Sequence, residues 1–434
     1  MRIYDSSDIE EVGARLKRKA SVETQIINAV RTIINDVANR GDAALFEYTA
    51  KFDGFALSAD NIRVSKQDMD AAYDAVPDDL LKTLKKSADN IGAFHALQKR
   101  EGFRRVVDGA VTGRLVLPMQ RAGVYVPGGK ASYPSSVLMN IIPAKIAGVS
   151  EIVMVTPPGK DGVIAPLTLV AADIAGADTI LKIGGAQAVA ALAYGTDSVP
   201  KVDVITGPGN AYVAAAKREV YGIVGIDMIA GPSEVLIIAD DNANARYIAA
   251  DFLSQAEHDE KAASVLLTPC RTLAENCVLE IEKQLNALDR RDIAAKSVQD
   301  YGTVVVTKTI DEAFGIANDF APEHLEILTD DPWQHIGKVK NAGAVFLGQY
   351  SPEPLGDYFA GPNHVLPTSG TARFASPLSV DDFVKKTNYI CYDQNSLKAC
   401  YNDIAAFAQA EGLSAHAKSA SIRFEDTEDT NENG

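Results

Sequence analysis

The chain has 434 residues, of which 47% are apolar and 23% charged, and its formal net charge is −16. This length allows two or more domains with large buried cores, and the acidic excess argues against nucleic acid, whose phosphates need clustered Lys and Arg. No apolar run approaches the roughly 20 residues of a membrane span, and MRIYDSSDIEE at the start lacks a basic segment followed by an apolar one. A cytoplasmic globular protein with no membrane partner is therefore expected. Cys270, Cys277, Cys391 and Cys400 form no CxxC pair, which argues against thiolate zinc or a redox dithiol and fits reduced thiols.

From the start, Ile26, Ile27, Val30, Ile33, Ile34 and Val37 recur at helical spacing within 21–40, and Gly41 ends that helix. Further helices are expected from Asp42 and over 79–97. From Val124 the pattern becomes short apolar strands separated by helices: VYV at 124–126, IVMVT at 152–156, TILKI at 179–183 and VDVIT at 202–206. Strands so spaced pair in parallel through right-handed crossovers, which predicts a doubly wound sheet. Three of them end in glycine turns, PGG at 127–129, GGAQ at 184–187 and GPGN at 207–210. Ligands of such sheets sit beyond the strands' carboxyl ends, where helix N-termini offer free N–H groups, so a dinucleotide pyrophosphate is the candidate. A second series, VLIIAD at 235–240, SVLLT at 264–268, TVVVT at 303–307 and AVFL at 344–347, predicts a second α/β domain of similar build. After Asp381 the sheet signals fade, a helix is expected over 402–411, and the acidic end RFEDTEDTNENG reads as a disordered tail.

The densest chemistry lies in 321–374, where APEHLEI and GDYFAGPNHVLPTSGTARF set titratable groups among turn formers, as in the wall of an active site. Gln255 and His258 in SQAEH are three residues apart near the end of a helix expected from Ala243, so both can face one ligand. With Asp357 and His416 they form a mixed nitrogen and oxygen set that suits a divalent metal such as zinc. Glu323 and His324 follow Pro322 in a loop and could serve two proton transfers, or could simply be a surface turn. His95 and His335 fall in segments that read as helices and are taken as surface or packing residues.

The segments VYVPGG, GGAQAVAALAYGT, GPGNAYV, AGPSEVL, DFLSQAEH, APEHLEI, GDYFAGPNHVLPTSGTARF and EGLSAH, in this order over about 21–423, resemble the histidinol dehydrogenases. The resemblance implies NAD-dependent four-electron oxidation of L-histidinol to L-histidine through the aldehyde, the last step of histidine biosynthesis. It implies one zinc per subunit on Gln255, His258, Asp357 and His416, with His324 as base and Glu323 activating water. Ser233, His364 and Glu411 would contact the substrate together with His324 and the metal ligands, and Tyr125, Gln187 and Asn210 would contact NAD. The fold implied is two incomplete Rossmann-like, doubly wound α/β domains with small N- and C-terminal extensions. The expected division is an arm at 1–20, a discontinuous first domain at 21–123 and 233–380, an NAD domain at 124–232, and a dimer-swapped extension at 381–434 that carries Glu411 and His416 into the partner's active site. The competing readings are a related zinc and NAD polyol dehydrogenase, for example of the sulfopropanediol type, a zinc hydrolase using Glu323, and a silent scaffold. The last two leave the glycine turns or the retained proton-transfer pair without a purpose.

Overall fold

The structure, a computed structural model, describes residues 1–16, 24–128 and 133–425. The expected helix start at 21–23, Gly129 of the PGG turn, and 426–434 of the acidic tail lie outside the described residues. The strands in chain order are β1 (Ile3–Asp5), β2 (Phe103–Val107), β3 (Ala110–Pro118), β4 (Arg121–Tyr125), β5 (Glu151–Val155), β6 (Thr179–Leu181) and β7 (Val204–Thr206). There follow β8 (Gly225–Ile226), β9 (Glu234–Ala239), β10 (Ala263–Thr268), β11 (Thr303–Val306), β12 (His324–Leu328), β13 (Ala344–Leu347) and β14 (Val384–Tyr392). The chain divides into two compact units, Met1–Lys99 with Met119–Phe383, and Arg100–Pro118 with Val384–Gly434.

The first unit holds two parallel sheets, in the orders β6-β5-β4-β7-β8 and β1-β11-β10-β9-β12-β13. Each winds outward one way and then the other, so the doubly wound α/β architecture expected from the strand spacing is present twice. Period-two alternation sorts the side chains of every strand. In β5, Val153 and Val155 meet the helices Thr24–Arg40, Asp42–Phe52, Gly185–Tyr194 and Ala211–Val220, while Ile152 and Met154 face a second cluster built on Asp78–Ala96, Pro134–Ala147 and Pro166–Ala175. In the larger sheet, Val235, Ile237 and Leu328 pack on the helix Ala245–Ala256. Leu236, Ile238, Leu325 and Ile327 pack on Ile310–Phe320. Phe252, fully buried, fills the first of those two interfaces. Phe252→Ala should cost about 3–5 kcal/mol in a denaturant titration, because truncating a core aromatic loses both its burial and the space it filled.

Helices within 21–123 pack on the five-stranded sheet, and Asp78–Ala96 also reaches the segment 233–380, through Ser87 and Asn90 to the carbonyls of Tyr358 and Phe359 at 2.6 and 2.8 Å. The structure corrects two expectations. The sheet signal does not end at Asp381, since β14 is a nine-residue strand. It pairs antiparallel with β3, and β3 with β2, so the second unit is a three-stranded sheet with the helices Tyr401–Ala410 and Ser414–Glu425. Finally, HLEIL at 324–328 is no loop: β12 runs between β9 and β13 with every residue buried.

Candidate active site

The chain enters β12 through a sharp reversal. The helix Ile310–Phe320 ends at Ala321, whose backbone is left-handed (φ +53°) and whose N–H donates to Ala317 O at 2.8 Å. A non-glycine residue in that region carries strain. Pro322 follows, and Glu323 and His324 arrive at the amino end of β12 beside the start of β9. There the two strands lock the pair: the Glu234 N–H donates to Glu323 Oε2 at 2.8 Å, and His324 Nδ1 lies 3.0 Å from Glu234 O. A carbonyl can only accept, so Nδ1 carries the proton and Nε2 presents its lone pair. Nε2 is buried with no hydrogen-bond partner and lies 4.0 Å from Glu353 Oε1. Glu323 and His324 thus sit at the amino edge of their sheet.

A second set of groups converges there. The helix expected from Ala243 begins at Ala245, capped by the Asn244 side chain, and ends at Ala256, with Gln255 in its last turn and His258 just past it. Ligand atoms of His258, Glu353 and Asp357 all lie within 4.8 Å of one another. Glu353 and Asp357 share the short helix Glu353–Tyr358, whose first amide donates to Glu326 Oε1 at 3.0 Å, and Ser254 Oγ donates to Glu353 Oε2 at 3.2 Å. His364 Nδ1 stands 3.5 Å from Asp357 Oδ1. The neighbouring Asn363 fixes that loop, donating to Met139 O at 2.7 Å and accepting the Val365 N–H at 2.9 Å. His95 touches Asn363 from inside the core and is fully buried, in keeping with its reading as a packing residue.

The electrostatics divide these groups by environment. Burial pulls the His324 imidazole down to about 4, so at neutral pH it stands uncharged and able to accept a proton. Burial pushes Glu323 well above the usual carboxyl range against the pull of the Glu234 N–H. Burial, then the Asp357 charge, raises Glu353 to about 8. Asp357 is also raised by burial, but the His364 hydrogen bond and the surrounding imidazoles outweigh it and hold the carboxyl at about 2. Two carboxyls one helical turn apart are therefore split into a proton holder and an anion.

A mixed cluster of one imidazole and carboxyls suits a divalent cation, and Gln255 fits it: the residue is fully buried, yet neither its amide oxygen nor its nitrogen has a hydrogen-bond partner. Of the other residues singled out, Ser233 directly precedes β9. Tyr125 ends β4, and its hydroxyl accepts the Gly185 N–H at 3.0 Å. Gln187, in the first turn of Gly185–Tyr194, is buried with both amide atoms unpartnered. Asn210 caps Ala211–Val220, its oxygen accepting the N–H groups of Tyr212 and Val213 at 3.0 and 3.2 Å. Tyr125 and Gly207 end the adjacent strands β4 and β7, the switch point of their sheet, where open α/β sheets bind ligands. Glu411 and His416 belong to the second unit, where both are exposed and line an open groove with Ile404, Phe407 and Leu413. The buried acids Glu353 and Glu326 and the half-buried Asp251 were missed in the sequence. Only the four-residue spacing of Glu353 and Asp357 signalled any of them.

A neutral buried imidazole with a free Nε2, an adjacent carboxyl and a group of side chains that could hold a metal ion, on a doubly wound α/β scaffold, make up the kind of site an enzyme uses. A family profile described as "Histidinol dehydrogenase" matches residues 16–424. The chain is 54% identical over 413 residues to the histidinol dehydrogenase of Halalkalibacterium halodurans (95% of this chain, 97% of that one). It is 52% identical over 427 residues to that of Caldanaerobacter subterraneus subsp. tengcongensis (98% and 99%). The crystal structure of histidinol dehydrogenase from Elizabethkingia anophelis superposes with a TM-score of 0.92 at 38% identity, covering 98% of each chain. The protein belongs to the histidinol dehydrogenase family of oxidoreductases. Among the described residues no helix is long and apolar enough to cross a membrane.

Proposed function

We propose that this protein oxidises L-histidinol to L-histidine through L-histidinaldehyde, the last step of histidine biosynthesis, using two NAD and one zinc per subunit. The observation that carries this reading is the buried His324 imidazole, held through Nδ1 with Nε2 bare and facing the metal-ligating cluster. Gln255, His258 and Asp357 would hold zinc with His416, a fit supported by the unpartnered Gln255 amide and the convergence of His258 and Asp357. When bound, zinc supplies a Lewis-acid anchor for the substrate's imidazole and amine, and NAD supplies the hydride acceptor.

His324 Nε2 takes the alcohol proton as the first hydride leaves the carbinol carbon. Glu323 takes a proton from the water that adds to the aldehyde carbon, and His324 serves again as the hydrate gives up its hydride. The alcohol and one water lose four electrons, two NAD accept them as two hydrides, and three protons are released. With both groups on consecutive residues, one position serves both half-reactions and the aldehyde need not leave. Ser233, His364 and Glu411 contact the substrate, and Tyr125, Gln187 and Asn210 contact NAD. The buried, unpartnered Gln187 amide and the β4/β7 switch point support this cofactor site.

Glu411 and His416 reach the site from a second copy of the chain in a homodimer. In support, both are exposed on a groove whose apolar wall, Phe407, Ile404 and Leu413, is left open to solvent. NADH formed per L-histidinol consumed tests the reading, with protein before and after chelation and zinc restoration. Two NADH, abolished by chelator and recovered with zinc, is expected. No turnover by zinc-replete protein would move the reading to a related polyol dehydrogenase.

A further inference from the structure

Below the β4/β7 switch point lies an ion pair that the proposed chemistry does not use. Lys217, on the helix Ala211–Val220, and Asp227, just past β8, are both buried and joined side chain to side chain. Besides bonding to each other, each side chain makes a hydrogen bond to the backbone of Gly207. Lys217 Nζ donates to Gly207 O at 2.9 Å, and the Gly207 N–H donates to Asp227 Oδ2 at 2.8 Å. Asp227 Oδ1 accepts its neighbour's amide, Met228 N–H, at 2.6 Å. Both backbone groups of Gly207 are thus held by the two halves of one buried pair.

Gly207 is also where the turn can least move. Its φ of +111° is open to glycine, and a Cβ there would stand 2.0 Å from Tyr125 O, so the turn presses directly on the end of β4. Tyr125 in turn receives the Gly185 N–H on its hydroxyl. Gly207 therefore links the strand ends and turns that carry Tyr125, Gln187 and Asn210. Burying a Lys–Asp pair is a poor route to stability, because its desolvation about cancels its attraction, and an apolar pair of the same volume often serves as well. What the charged pair provides is directional: a donor for the carbonyl and an acceptor for the amide of the same residue, at fixed positions.

We propose that Lys217 and Asp227 are positioning residues for the dinucleotide, a buried clamp that sets the Gly207–Asn210 turn against Tyr125 and so shapes the NAD site. The inference rests on the NAD reading given above. The test is the Lys217→Met, Asp227→Leu double variant of the full-length, zinc-loaded protein, which removes both charges together and leaves neither orphaned. NADH binding is followed by its fluorescence, beside KM for NAD, KM for L-histidinol and kcat. The expected result is a folded protein whose affinity for NADH falls roughly tenfold to a hundredfold, with KM for L-histidinol and kcat little changed.

Asp227→Asn is measured in parallel. Since both carboxylate oxygens accept backbone N–H groups, an amide in either orientation sets a donor against a donor, and weaker NADH binding is again expected. NADH affinity equal to wild type in a folded variant of either kind overturns the clamp. A parallel loss for both ligands, tracking a lowered melting temperature, also overturns it, since that is what a merely structural pair would do. Wild-type protein that binds no NADH would instead remove the NAD reading itself.

Discussion

Glu323→Gln should yield a protein that stops after one oxidation, with NADH per L-histidinol falling from two toward one and the aldehyde recoverable with a carbonyl trap. The glutamine oxygen can still accept the Glu234 N–H that now bonds to Glu323 Oε2 at 2.8 Å, so the backbone of β9 and β12 keeps its register. What the amide cannot do is take a proton from water. The second half-reaction should therefore slow by roughly 10²–10⁴, the usual contribution of a positioned general base, while the first is spared. His324→Asn makes the opposite cut. Its amide nitrogen can replace Nδ1 in the bond to Glu234 O, yet nothing remains where Nε2 stood, and both oxidations should fall by a similar factor. Rapid-mixing measurements of NADH appearance, with L-histidinol and separately with the aldehyde, distinguish the two patterns. Turnover near wild type in both variants would reject the assignment of the pair.

The roles proposed for these two residues are legible from residue type, but their placement in the fold is not. APEHLEI looks like a loop because Pro322, Glu323, His324 and Glu326 interrupt any apolar run. It is a strand because β9 and β13 flank it on both sides and supply backbone partners that no local pattern reveals. By contrast VLIIAD, SVLLT and TVVV are buried on both faces, and a strand so placed reads as a continuous β-branched run. β14 went unseen for the converse reason: VKKTNYICY is exposed or half-buried throughout, so no buried face stamps a period of two on it. The proposed metal set joins Gln255 and His258 to Asp357 and His416, which lie far along the chain, and spacing could tie only Gln255 to His258. Resemblance to the family supplied the rest. The acids Glu326 and Asp251 lie beyond any sequence signal, since their side chains meet only where β12 packs on the helix Ala245–Ala256.

Gln255→Leu should change stability in opposite directions with and without zinc. The Gln255 side chain is fully buried with neither amide atom hydrogen bonded to the protein, so its desolvation is uncompensated unless a metal takes the amide. Leucine has nearly the same volume and no such cost, and the metal-free variant should gain about 1–3 kcal/mol over wild type. Zinc reverses the comparison. A ligand that binds only the folded state adds about 4 kcal/mol at a thousandfold excess over its Kd, and a variant missing one of four donors should lose most of that increment. Urea titrations in chelator and in buffered zinc measure both quantities on the same samples. His416→Asn offers a contrast, since its imidazole is exposed in the second unit: it should leave metal-free stability unchanged while also weakening the response to zinc. An equal zinc increment in wild type and Gln255→Leu would remove Gln255 from the metal set. A variant less stable than wild type in chelator would show instead that water already satisfies the amide, and the orphaned atoms would no longer speak for a metal.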